Sequence, residues 1–218
     1  MEWHLFADVP TDDVRRLLSI ARRRTFARGE VVFHRDDPGN SLHLIVSGRF
    51  AVAITTPLGE TAMLAVRGPG DAFGELALVS GGETARSATV SALERGETRS
   101  VLRDDFARLR REHPGVDAVL AAIMAERVRQ LSERLTEAYY LSAEARVLRR
   151  LVELAKLYEG AVPLSQELLG ELAGTSRATV NRVLREQQEL GAVELSRARI
   201  VVLDRQALLR RRRGAEAF

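Results

Sequence analysis

Between Thr25 and about Leu102 the chain breaks into short apolar runs, each closed by a turn signal. The runs at 30–34, 41–46, 49–55, 61–66 and 88–92 are rich in β-branched and apolar residues. Asp36-Asp37-Pro38-Gly39, Ser47-Gly48, Pro57-Leu58-Gly59, Gly68-Pro69-Gly70-Asp71 and Gly81-Gly82 separate them. Segments this short leave little room for helices. Many short strands with Gly/Pro turns predict a β-sandwich or barrel, here a jelly roll.

Inside this region, residues 73–90 read FGELALVSGGETARSATV. Gly74 has no Cβ and lets the backbone approach a ligand closely. The residues after it read as one helical turn, whose free N–H groups favour a phosphate. Glu75 can accept hydrogen bonds from a ribose hydroxyl. Arg86 offers a planar fork for phosphate oxygens, and Ser87 adds a short donor. Each residue alone is equally at home on a solvated hairpin. Together they read as a small anion-and-sugar pocket.

Helical periods flank the β region. Residues 10–24 read as a helix, with Asp12 and Asp13 in the first turn and Arg22 to Arg24 in the last, an order that complements the helix dipole. Residues 103–114 read as a polar helix ended near Pro114. A long helix follows over about 116–140. There Met124, Val128, Leu131, Leu135 and Ala138 alternate spacings of four and three, an a/d seam flanked by Arg, Glu and Gln. Such a seam packs against a copy of itself in a parallel homodimer, or against its own β domain.

Residues 145–158 form an apolar helix stopped by Glu159-Gly160. Ser165 and Ser176 then open two short helices by N-cap chemistry. Joined by Gly174-Thr175, they make a helix-turn-helix pattern. Leu168 or Leu169, Leu172, Ala173, Val180, Val183 and Leu184 supply its interior. Residues 192–196 and 199–203 read as a two-stranded wing, and the tail ends in a basic run.

On the second helix, Arg177, Asn181 and Arg185 share one face, with Ala178 and Arg182 beside them. Arg can bind guanine O6 and N7 bidentately, and Asn can bind adenine. Ser176 and Thr179, near the helix start, suit phosphate contacts. Residues 144–218 carry 14 Arg or Lys against 10 Asp or Glu, while the remainder holds 19 against 20. The basic excess therefore lies in the same third as the helix pair, which suits a polyanion.

The chain has no cysteine, which excludes disulfides, thiolate catalysis and Cys-ligated zinc, haem or iron–sulfur clusters. A metal-binding cupin needs a His-x-His-type cluster with a carboxylate. His34 and His43 lie in the first half of the β region, but Leu42-His43-Leu44 supplies only one His, and His4 and His113 stand alone. No catalytic triad or phosphate-binding loop stands out, so neither catalytic residues nor a metal site is expected. The opening MEWHLFADVP does not read as a signal peptide, and no stretch approaches the ~20 apolar residues of a membrane span. The expected location is the cytoplasm, with no membrane partner.

RGEVVFHRDDPGNSLHLIVSGRFAV, GPGDAFGE, the 73–90 cassette and ELAGTSRATVNRVL together resemble the cyclic-AMP receptor protein/FNR (Crp/Fnr) family of bacterial transcription regulators. The resemblance spans essentially the whole chain. It implies an α+β fold: an N-terminal cyclic-nucleotide-binding-like β jelly roll (1–114), a long dimerisation helix with its hinge (115–142) and a C-terminal winged helix-turn-helix (143–218). It implies a cyclic nucleotide of the cyclic AMP kind as effector, held by Gly74, Glu75, Leu76, Arg86, Ser87, Leu131 and Ser132. It further implies DNA contacts from Thr175, Ser176, Arg177, Ala178, Thr179, Asn181, Arg182 and Arg185. The implied partners are a palindromic double-stranded DNA operator, a second copy of the chain and RNA polymerase. A nucleotide-binding regulatory subunit acting on a protein partner is a rival that the helix-turn-helix opposes.

The chain departs from the family in three places. Ala178 stands where many members carry a cytosine-reading Glu. Leu131 stands where the cyclic-AMP receptor uses a Thr against adenine. Arg86 lies 12 residues after Gly74, which implies a longer loop at 80–84 than many members carry.

Overall fold

Along the strand Ser41–Ser47, Leu42 and Leu44 face one way and His43 and Ile45 the other, and all four are buried. A strand buried on both faces must lie between two apolar layers. Leu42 and Leu44 join a cluster with Leu17, Phe106, Val119 and Ile123 from helices. Ile45 joins Phe26, Phe50, Phe73, Val90 and Ala92 between two sheets.

The computed structural model describes residues 3–57, 59, 61–79 and 84–209. Gly81-Gly82, residues 80–83 of the expected longer loop, and the basic run from Arg210 lie outside the described residues. The first elements are α1 (Thr11–Ser19), β1 (Arg22–Phe26), β2 (Val31–Phe33), β3 (Pro38–Gly39), β4 (Ser41–Ser47), β5 (Phe50–Thr55), β6 (Thr61–Arg67) and β7 (Ala72–Phe73). Then come α2 (Leu76–Val79), β8 (Thr84–Ala85), β9 (Thr89–Ala92), β10 (Gly96–Leu102), α3 (Arg103–Glu112) and α4 (Asp117–Tyr140). The last are α5 (Ala143–Leu157), β11 (Ala161–Val162), α6 (Gln166–Ala173), α7 (Arg177–Glu189), β12 (Val193–Ser196) and β13 (Arg199–Val202). The chain divides into two compact units, residues 1–54 with 64–131, and 55–63 with 132–218.

The β region forms two four-stranded sheets, ordered β1-β10-β4-β7 and β2-β9-β5-β6, with the short pair β3-β8 beside them. This is the expected jelly-roll sandwich. Three of its strands, β1, β7 and β10, lie outside the runs read from the sequence. Arg22 to Arg24 do not close the first helix. α1 stops at Ser19, and these arginines pair with Ser100, Arg99 and Thr98 on β10. The open backbone edge of β10 needs a partner, and that requirement outweighs the helical charge pattern. β10 carries glycine or polar residues from Gly96 to Ser100 and only Val101 and Leu102 at its end, too short an apolar signal to be read as a strand.

In the other unit, Ser142 caps α5, its hydroxyl accepting from Ala145 N at 3.2 Å. Ser165 and Ser176 cap α6 and α7 in the same way, from Leu168 N and Thr179 N. Gly174 ends α6 in the left-handed conformation (φ 61°), the αL cap that glycine adopts without strain. Of the two candidate leucines, Leu169 is the one fully buried, as are Val180 and Leu184. The wing gains a third strand, because Ala161 and Val162 pair with Val201 and Ile200. A two-residue strand beyond Gly160 has too little pattern to be read from sequence.

Candidate functional site

The pocket begins at Gly74, where φ is +80° and a Cβ would lie 2.7 Å from Arg86 Nη1 and 2.8 Å from the Ser41 carbonyl oxygen. Only glycine fits both the conformation and the space. The helical turn expected after it is α2, beginning at Leu76, which is exposed.

Arg86 comes from the segment after β8 and turns inward until only 6% of it is exposed. Its Nη1 donates to Ser41 O at 2.7 Å and its Nη2 to Ser41 Oγ at 2.9 Å. The guanidinium carbon sits 4.0 Å from the centre of the Phe33 ring. Burial, followed by the neighbouring Arg103, pushes its pKa down to about 10, against the pull of Asp37 and Glu75. It remains a cation at neutral pH. Its Nε is buried with no hydrogen-bond partner among the described residues. An orphaned donor on a buried cation, beside a cradle that a single Cβ would fill, fits an anionic group such as a cyclic phosphate.

Glu75 does not stand alone. Arg127, from α4, lies 3.4 Å from its carboxylate and 3.0 Å from that of Asp71, which Arg67 also meets at 3.0 Å. Burial raises the Asp71 pKa, but Arg67 and Arg127 with the Ala72 N–H hold it below the ordinary carboxylate value. Arg127 also donates to the Ala72 carbonyl. The sequence reading missed Arg127 and Asp71, because Arg127 reads as a charged flank of the seam and its partners lie more than fifty residues away. Ser87 is exposed, and so are Leu131 and Ser132 further along α4. Leu131 is 68% exposed, Val128 61% and Leu135 57%, with Ala138 also exposed and Met124 half-buried. His43, weighed above as a metal ligand, hydrogen-bonds Thr98 and Ser41 and stacks on Phe73 at 5.0 Å.

In the second unit, α7 turns Val180, Val183 and Leu184 inward and leaves Arg177, Ala178, Arg182 and Arg185 exposed. Ser176 and Thr179 share a hydroxyl contact of 3.1 Å at its start, and the half-buried Thr175 donates its N–H to Gly170 O. Asn181 donates to Gln166 at 2.9 Å, and Arg182 meets Glu144. Gln166, Asn181, Arg185, Gln188 and the wing residues Leu195 and Ser196 line a cleft of about 530 Å³. Gln166, Leu195 and Ser196 were not among the site residues read from the sequence, since nothing in a linear pattern sets them beside Asn181.

A sandwich with a glycine–arginine anion cradle and a unit presenting an arginine-bearing helix define a class, and the comparisons name it. The cyclic nucleotide-binding domain family matches residues 23–113, and the Crp-like helix-turn-helix domain matches residues 145–211. The cyclic AMP receptor protein of Thermus thermophilus is 38% identical over 194 residues, 88% of each chain. A CRP-like cAMP-activated global transcriptional regulator of Mycobacterium tuberculosis is 29% identical over 217 residues, 96% of each. The structure of FixK2 from Bradyrhizobium japonicum shares the fold, with a TM-score of 0.76 at 22% identity over 91% of this chain and 98% of that one. The chain belongs to the Crp/Fnr family of bacterial transcription regulators.

Proposed function

We propose that the chain is a homodimeric, sequence-specific DNA-binding transcription regulator that responds to a cyclic nucleotide in its β domain. The exposed Arg177–Arg185 face of α7, presented by a capped and packed helix pair, carries the DNA-binding half. Arg177 and Arg185 read guanine, Asn181 reads adenine, and Ala178 offers a methyl contact. Thr175, Ser176, Thr179 and Arg182 meet the phosphates. Ala178 in place of a glutamate gives an operator different from that of the best-known family members.

In the β domain, the phosphate meets Arg86 and Ser87, and the ribose meets Gly74, Glu75 and Leu76. The orphaned Arg86 Nε supports this half. Leu131 can give a base only an apolar contact, so base recognition is weak or differs from that of the cyclic-AMP receptor. Exposed Val128, Leu131 and Leu135 on one long helix support pairing with a second copy, and a twofold dimer matches a palindromic operator. RNA polymerase is the partner through which such a regulator acts at a promoter. An effector changes DNA binding only by binding one state of the protein more tightly than the other.

In vitro selection of duplexes with and without cyclic AMP tests the whole reading. The expected result is an enriched palindrome whose recovery depends on the nucleotide. Enrichment that ignores every cyclic nucleotide tried would identify a ligand-independent regulator, and no enrichment in any condition would remove the DNA-binding reading.

A further inference from the structure

The guanidinium of Arg86 has two edges that can donate in parallel pairs. The end-on edge, Nη1 with Nη2, is occupied by Ser41: the carbonyl accepts at 2.7 Å and the hydroxyl at 2.9 Å. The side edge, Nε with the second proton of Nη2, has no partner at Nε among the described residues. Arg has only donors, so the Ser41 hydroxyl must accept from it and send its own proton elsewhere. His43 Nε2 lies 3.3 Å from that hydroxyl, and His43 Nδ1 lies 3.0 Å from Thr98 Oγ1. The assigned tautomer is the one that gives the Ser41 proton an acceptor within this group. Ser41 donates to His43 Nε2, and His43 carries its proton on Nδ1 and donates to Thr98.

All four side chains are buried: Thr98 is 0% exposed, His43 5%, Arg86 6% and Ser41 7%. The His43 ring is fixed further by stacking on Phe73, the residue before Gly74, at an interplanar angle of 10°. Phe33 tilts against both rings and lies under Arg86. A cation in such a site cannot exchange a lost acceptor for water, so each link constrains the next.

We infer that Ser41 and His43 are positioning residues for the effector: through a Thr98–His43–Ser41 chain they hold one edge of Arg86 so that its side edge is kept for a phosphate. The inference rests on the cyclic-nucleotide reading. It adds residues on β4 and β10, outside the cassette, that set how well Arg86 binds. His43 acts here as a neutral hydrogen-bonding group.

Isothermal titration of the full-length dimer with cyclic AMP and cyclic GMP tests it, with the melting temperature of each variant as a control for folding. Ser41→Ala is expected to weaken binding about tenfold, the scale of one hydrogen bond to a charged group. His43→Phe keeps an aromatic ring in the stack and is expected to weaken binding about threefold, by freeing the Ser41 hydroxyl. Ser41→Thr keeps the hydroxyl and is expected to restore native affinity. In an Arg86→Lys background there is no paired edge to orient, so Ser41→Ala is expected to cost less than about twofold, a coupling that general loosening of the fold does not produce. Native binding with an unchanged Ser41→Ala constant, or an equal loss in the Arg86→Lys background, would overturn the positioning role alone. Flat titrations of the native protein would overturn both it and the effector reading.

Discussion

Gly74 is the least replaceable residue of the effector cradle. Gly74→Ala would place a methyl group 2.8 Å from a backbone oxygen, at φ +80°. The expected cost is about 1–3 kcal/mol of stability by urea unfolding, together with loss of cyclic AMP binding. His43 sets a different dependence. Burial first, then Arg86 and Arg24, push its pKa from the ordinary 6.5 down to about 3. The folded value lies below the unfolded one, so the neutral ring's contribution is complete above pH 6.5 and is lost as pH falls towards 3. Urea midpoints of the native protein should fall by the equivalent of up to about 1.4 kcal/mol per pH unit below 6.5. His43→Phe should flatten that limb between pH 6.5 and 4. A difference curve that stays level over this interval would show that His43 does not titrate as described. Gly74, Glu75 and Arg86 stood out in the sequence only by their combination, since each alone is at home on a solvated hairpin. Ser41, His43 and Thr98 did not, because ordinary side chains acquire a role only through neighbours 45 or more positions away.

At the scale of elements, α4 and α5 are joined by charges that exclude water. Arg150 is 2% exposed and hydrogen-bonds Glu137, itself 5% exposed, while Arg149 meets the same carboxylate at 2.6 Å. Removing Glu137 leaves the buried Arg150 with only Glu153 among the described residues, at 2.8 Å and itself 43% exposed. Glu137→Ala is therefore expected to cost about 3–5 kcal/mol, and an apolar pair, Glu137→Leu with Arg150→Met, to recover most of it. Denaturant melts of the three proteins decide. By contrast Arg15 and Asp12 are 73% and 70% exposed on α1, and breaking that pair should change stability by less than about 1 kcal/mol. The seam of α4 makes a separate prediction. Leu135→Glu should shift the protein from dimer to monomer by sedimentation equilibrium at micromolar concentration, with little effect on its far-ultraviolet circular dichroism. A dimer of native affinity would send the seam back to some other role. Helices with caps and a period were readable to within a few residues. β1 was not, because three consecutive arginines form a strand only where β10 supplies the edge to pair with.

For the whole molecule, DNA affinity should fall steeply with salt, since phosphate contacts release counterions. Arg177→Ala should weaken operator binding by about 1–3 kcal/mol and relax preference at one base position. Arg182→Ala should weaken all duplexes alike and lower the salt slope by about 1. Fluorescence anisotropy over a salt series separates the two, and identical behaviour of both variants would cancel the assignment of readers and phosphate contacts. The order of a β-sandwich, a long seamed helix and a helix-turn-helix was readable from the sequence, as were Gly74–Arg86 and Arg177–Arg185 as candidate sites. Periodicity, caps and turn residues are local properties, and they survive in a linear text. Tertiary structure alone decided that Arg127 reaches Glu75, that Arg22–Arg24 form a strand, and that Ser41 holds one edge of Arg86. Each of these depends on partners far along the chain, and at Arg127 and Ser41 burial adds to it, because desolvation makes an otherwise ordinary contact strong.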